Sequence, residues 1–147
     1  MISNSELLRK IFEELGELAA QKIQNGAKDM TNTELVANSP LTPVFNPTND
    51  YLHKPAGYVC HTEDNNVWRL LQPYDSSIFT DPPQNLPAQW APVWTQDPND
   101  ARPFVAISTA PYSKGDCCLF NGEVYRSTID NNVWSPKNYP LGWDELP

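Results

Sequence analysis

The apolar positions of the first 26 residues recur at helical spacing. Leu7, Leu8, Ile11, Phe12, Leu15, Leu18, Ala19 and Ile23 fall on one side of a helix predicted over residues 3–25. Ser3 and Glu6 have the spacing of a capping box, and Asn25-Gly26 is the expected stop. Within the stripe, Leu8, Ile11, Leu15 and Leu18 step by three, four and three, which is a short coiled-coil seam. Two heptads are marginal alone. The helix is terminal and a long polar connector follows it, so the seam predicts assembly with copies of the chain or docking on a larger body, the alternative being packing on the chain's own sheet. Beyond it the pattern turns polar. Residues 27–43 hold one apolar pair, Leu35-Val36, and read as an extended arm.

From residue 44 onward the pattern is of short apolar runs broken by Pro, Gly and Asn. Tyr51–Lys54 and Tyr58–His61 read as strands around a turn at Pro55-Ala56-Gly57. Phe104–Ile107 reads as a further strand, and residues 116–128 as a hairpin around Asn121-Gly122. Two stretches recur. Thr62–Trp68 returns as Thr128–Trp134 with six of seven residues identical, and Pro83–Trp90 returns as Pro136–Trp143 with both prolines, the Asn and the Trp kept. The offsets are 66 and 53, so the first copy carries 13 extra residues, assigned to an insertion at 69–81. The expected architecture is therefore mainly β. An N-terminal helix (1–26) and an extended arm (27–43) precede two small duplicated β-hairpin modules (44–94 and 103–147) joined by a linker (95–102). Units this small seldom bury enough surface alone, so they are expected to lean on each other or on neighbouring chains.

Composition narrows the function. A formal charge of −8 leaves no electrostatic reason to bind nucleic acid or anionic lipid. No window is long and apolar enough to span a bilayer, and the start lacks a basic run followed by an apolar one, so folding in a cytoplasm is the expectation. Cys60, Cys117 and Cys118 are odd in number and expected to be reduced apolar fillers, the vicinal pair facing opposite sides of a strand. The only histidines, His53 and His61, have no counterparts in the second copy, and no Cys-x-x-Cys or clustered Gly loop is present. Neither a cofactor nor a metal is expected, Asp64 and Asp130 being read as turn residues, and the chain is not expected to be an enzyme.

Tyr112-Ser113-Lys114-Gly115-Asp116, Cys118–Ser127 with its Asn-Gly, then Asn131-Asn132, Pro136, Pro140 and Trp143 resemble the carbohydrate-binding module of families 5 and 12, the small chitin-binding domain of bacterial chitinases. The first copy fits the same pattern more loosely through Phe45, Tyr51, Gly57, its prolines and Trp90. Ile129 and Asp130 stand where members that bind chitin carry exposed aromatics. Modules of this kind without a catalytic domain look like those of tailed-phage virion proteins: head fibres, tail fibres and baseplates. The resemblance implies a non-enzymatic structural or accessory protein of a bacteriophage particle, located in the virion. It would be a homo-oligomer, a trimer favoured, through Leu8, Ile11, Leu15 and Leu18, with other virion proteins as partners. The alternative it implies is a glycan-binding protein for host-surface polysaccharide or chitin. Trp68, Tyr74, Trp134 and Tyr139 are the candidate residues for contact with glycan or partner.

Overall fold

A computed structural model describes residues 3–147; Met1 and Ile2, included in the predicted helical segment, lie outside the described residues. Helix α1 spans Asn4–Gly26. Its start is the predicted capping box: the Ser3 hydroxyl accepts from the Glu6 amide, and the Glu6 carboxylate accepts from the Ser3 amide, both at 3.2 Å. Gly26 does not stop the chain in a left-handed turn. Its φ is −93°, and the helix tightens directly into a 3₁₀ turn at Ala27–Asp29. Residues 3–18 are exposed all round, and the helix meets the body only near its end, where Ile23 and Ala27 are buried.

The predicted extended arm is helical instead. Helix α2 (Asn32–Ala37) and a 3₁₀ turn at Ser39–Leu41 occupy it. Thr31 caps α2 by accepting from the Glu34 amide at 3.1 Å. Leu35 and Val36 are fully buried against Val59, Val67 and Val93. Burying that apolar pair on a sheet outweighs the polarity of the residues around it.

Two small sheets follow. The first has strands β1 (Val59–His61), β2 (Val67–Leu70) and β3 (Trp90–Val93), antiparallel in that order. The second has β4 (Arg102–Pro103) parallel to β5 (Cys117–Phe120), which continues antiparallel through β6 (Glu123–Ser127) to β7 (Trp143–Leu146). The strands are two to five residues long and take no more of the chain than the two α-helices, so "mainly β" overstates their share. Tyr51–Lys54 and Phe104–Ile107 form turns and irregular backbone rather than strands. Asn121 (φ 52°) and Gly122 (φ 82°) make the expected tight hairpin turn.

Both sheets carry the same aromatic nucleus. In the first, Phe45 stacks on Tyr51 at 5.5 Å, and Trp90 meets both rings edge-on. In the second, Phe104 stacks on Tyr112 at 5.5 Å, and Trp143 meets both edge-on. Each tyrosine hydroxyl accepts from the amide of the residue after the phenylalanine, at 3.1 Å in both cases. Tyr74 covers the other face of Tyr51, as Trp94 covers that of Tyr112. Cys60 pairs with Trp68 across the first sheet, and Cys118 with Tyr125 across the second.

This correspondence corrects the register read from the sequence. Trp68 matches Tyr125, not Trp134, and Thr62–Trp68 turns from β1 into β2, whereas Thr128–Trp134 follows β6. What those two stretches share is a local turn: Asn65 and Asn131 both have positive φ, and the next Asn is buried in each. Residues 69–70 belong to β2, so the predicted insertion at 69–81 begins inside a strand. The Pro83–Trp90 and Pro136–Trp143 echo does fall in structural register, since each closing Trp starts the third strand of its antiparallel run.

The two sheets interlock through what was read as a linker. Thr95 is buried, and its carbonyl accepts from the Cys117 amide at 2.7 Å. Trp94 crosses to stack on Tyr112, while Ile107 joins the aromatic core of the first sheet. Arg102 ties the helical segment down by donating to the Val36 carbonyl and the Ser39 hydroxyl. Cys117 and Cys118 are both buried, and Thr95 pairs beside Cys117 at the edge of β5.

Candidate functional site

The candidate contact residues separate into two pairs. Trp68 is 1% exposed, its indole N–H donating to the Thr62 hydroxyl at 3.2 Å, and it packs in the first core. Tyr74 is 5% exposed, and its hydroxyl accepts from the Trp90 indole at 3.0 Å. Neither offers a ring face to a ligand. Both are structural, because the aromatic nucleus needs large rings on its flanks.

Trp134 and Tyr139 are brought together at the surface. They are 48% and 38% exposed, with ring centroids 5.5 Å apart and planes at 67°. Ile129, Asp130, Asn131 and Asn138 complete a cleft of about 550 Å³ around them. Its mounting is rigid. The Trp134 amide donates to the Asn132 side chain at 3.3 Å, and the Trp134 carbonyl accepts from the indole of the core residue Trp143 at 2.8 Å. Asn132 is itself fully buried and donates to the Ser127 hydroxyl and the Gly142 carbonyl. Opposite, the Tyr139 amide donates to the Ser135 carbonyl at 2.9 Å. A Cβ at position 142 would sit 2.8 Å from the Tyr139 ring, so glycine there lets that ring lie against the backbone. Lys114 fixes the floor, its amide donating to the Asp130 carboxylate at 2.9 Å.

Chemically this is two aromatic surfaces flanked by amide and carboxylate acceptors. That set suits a ring with an apolar face and hydroxyl edges. Ile129 and Asp130, which replace the aromatics implied by the resemblance, line the same cleft. Asn131 and Asn138 were not anticipated as lining residues, although Asn131 lies in the repeated Asp-Asn-Asn.

The titratable groups that invite a catalytic reading have structural partners. His53 contacts the Asp50 carboxylate at 2.5 Å, a hydrogen bond that lowers the Asp50 pKa. His61 shares a hydrogen bond with the Thr42 hydroxyl at 2.9 Å. Burial pushes the Cys60 and Cys118 thiols up to about 12, so both are neutral and poorly nucleophilic near pH 7.

The seam residues form a second surface. Leu8, Ile11, Leu15 and Leu18 are 42–62% exposed on α1, and Phe12 beside them is 69% exposed. Among the described residues none of these side chains belongs to a core cluster, and no helix is long and apolar enough to cross a membrane. No protein-family model and no curated protein matches the chain.

Proposed function

We propose that the chain is a non-enzymatic structural protein of a bacteriophage particle, an accessory subunit of a fibre, decoration or tail assembly. In this reading α1 joins copies of the chain, a trimer favoured, and the duplicated carbohydrate-binding-like modules project from it toward other virion proteins. The observation that carries the assembly part is the exposure of residues 3–18, a stretch of about four helical turns whose leucine seam joins no core cluster among the described residues. The virion part rests on the resemblance and on the order of helix and modules. Gold labelling with an antibody to this chain, on purified particles from a lysate that contains it, tests that part. Label at symmetry-related positions is expected. Particles without label, with the chain left in the soluble fraction, would overturn it.

The Trp134–Tyr139 cleft favours a second reading, glycan binding, which is compatible with the first. Trp134→Ala is expected to abolish retention on insoluble glycan while changing stability by less than about 0.5 kcal/mol, because the ring is half exposed. Retention assays on a polysaccharide panel, with thermal melts alongside, check this. Equal retention of the parent chain and the variant, or none by the parent, would remove glycan binding from the account.

A further inference from the structure

The chain has ten lysines and arginines against 18 acidic residues, yet three of the ten meet at one cleft. It has a volume of about 470 Å³ and lies where the end of α1 faces the turn ahead of β1. Lys28, Lys54 and Arg69 line it with His53 and Tyr58, and no Asp or Glu does among the described residues.

Arg69 is the unusual member. It sits on the central strand β2, opposite Val59 and Ala91, on the sheet face that α2 covers. Its Nη2 is buried and has no hydrogen-bond partner among the described residues. A buried guanidinium nitrogen normally finds a carboxylate or carbonyl, since leaving it bare costs more than a neutral donor would. Gln24, which lines the same cleft, is already committed. Gln24 donates to the Val59 carbonyl at 2.6 Å and accepts from its amide at 2.8 Å, using both ends of its side chain. The Lys54 ammonium lies 5.3 Å from the Tyr58 ring centroid, at a distance suited to a cation–π contact. Asp50 engages His53 outside the lining, and the other groups converging here are cationic or neutral.

We propose that this cleft binds an oxyanion, the carboxylate or phosphate of a small molecule or sugar, with Arg69 as the planar donor and Lys28 and Lys54 as flanking charges. A guanidinium matches two oxygens of such a group with parallel N–H donors, and the ammonium groups add charge without fixed geometry. The assignment is independent of the virion reading and of the Trp134 cleft.

The test is amide-resolved NMR of the full chain, titrated with inorganic phosphate and separately with sodium glucuronate at constant ionic strength. Saturable shifts at Lys28, Gly57, Tyr58 and Arg69 are expected, and whichever anion gives the tighter curve identifies the preferred oxyanion. Lys28→Gln with Lys54→Gln, both on the rim, should weaken binding at least about tenfold with the rest of the spectrum unchanged. Arg69→Gln should abolish saturation, and the rim variant keeps the test decisive if Arg69→Gln unfolds. Absence of saturable shifts with both anions, shifts spread evenly over all lysines, or an unchanged affinity in the rim variant would each overturn the proposal.

Discussion

Replacing Trp90 with alanine is expected to cost the fold about 3–5 kcal/mol, the range for removing a large buried aromatic. Trp90 is fully buried, and it meets Phe45, Tyr51 and Tyr74 edge-on at 5.2–6.1 Å. Its indole N–H also donates to the Tyr74 hydroxyl, so the variant strands a buried hydroxyl beside a cavity. Small domains have only about 5–15 kcal/mol in total, so a loss of this size leaves a substantial unfolded fraction in mild denaturant. Trp143→Ala removes the equivalent ring from the second nucleus and is expected to act in the same direction. The two losses should appear in one transition, because Ile107 packs in the first core and Trp94 stacks on Tyr112. Urea unfolding followed by tryptophan fluorescence and by far-ultraviolet circular dichroism checks both points. Coincident curves displaced to lower urea fit the account. Two separated transitions, with Trp143→Ala moving only one, would contradict the interlocking of the sheets.

Leu15→Glu with Leu18→Glu should dissociate the proposed assembly without unfolding the sheets. Fully burying one leucine contributes about 1.5–3 kcal/mol, and α1 exposes Leu7, Leu8, Ile11, Phe12, Leu15 and Leu18 in a single arc. In the proposed assembly this stripe would be covered by the helices of neighbouring copies, removing its apolar surface from water. Placing carboxylates in the C-terminal half of the seam would force them out of water without donors or counter-charges, which reverses the sign of the contact. Neither side chain belongs to a core cluster, so the urea midpoint of the sheets should stay unchanged. Sedimentation velocity on the variant and the parent measures the change directly. A variant that sediments like the parent would show that α1 is not the joining element.

What the sequence made legible was local or periodic. The cap and stripe of α1 rest on side chains three and four residues apart, and the structure keeps both. Asn121-Gly122 demands positive φ at both positions, which leaves few alternatives to a hairpin. The register between the two halves was obscured because the strongest identity, Thr62–Trp68 against Thr128–Trp134, marks a reused turn. Backbone pairing decides equivalence, and it sets Cys60–Trp68 against Cys118–Tyr125. The weaker pattern of Phe45, Tyr51, Gly57 and Trp90 held the structural register, since these residues match Phe104, Tyr112, Gly115 and Trp143. The arm is helical where its polar pattern predicts an extended segment, because Thr31 caps the turn at Glu34 ahead of Leu35-Val36. At the candidate site, burial divided four similar aromatics, and burial depends on contacts far apart in sequence. The cationic cleft was invisible for the same reason, with Lys28, Lys54 and Arg69 on three separate segments.

The native mass of the full chain by light scattering, over a wide range of concentration, bears most directly on self-assembly through α1. The account predicts an integer multiple of the chain mass, three being expected, that falls to a single chain in the Leu15→Glu, Leu18→Glu variant. A parent chain that scatters as a monomer at every concentration would contradict it.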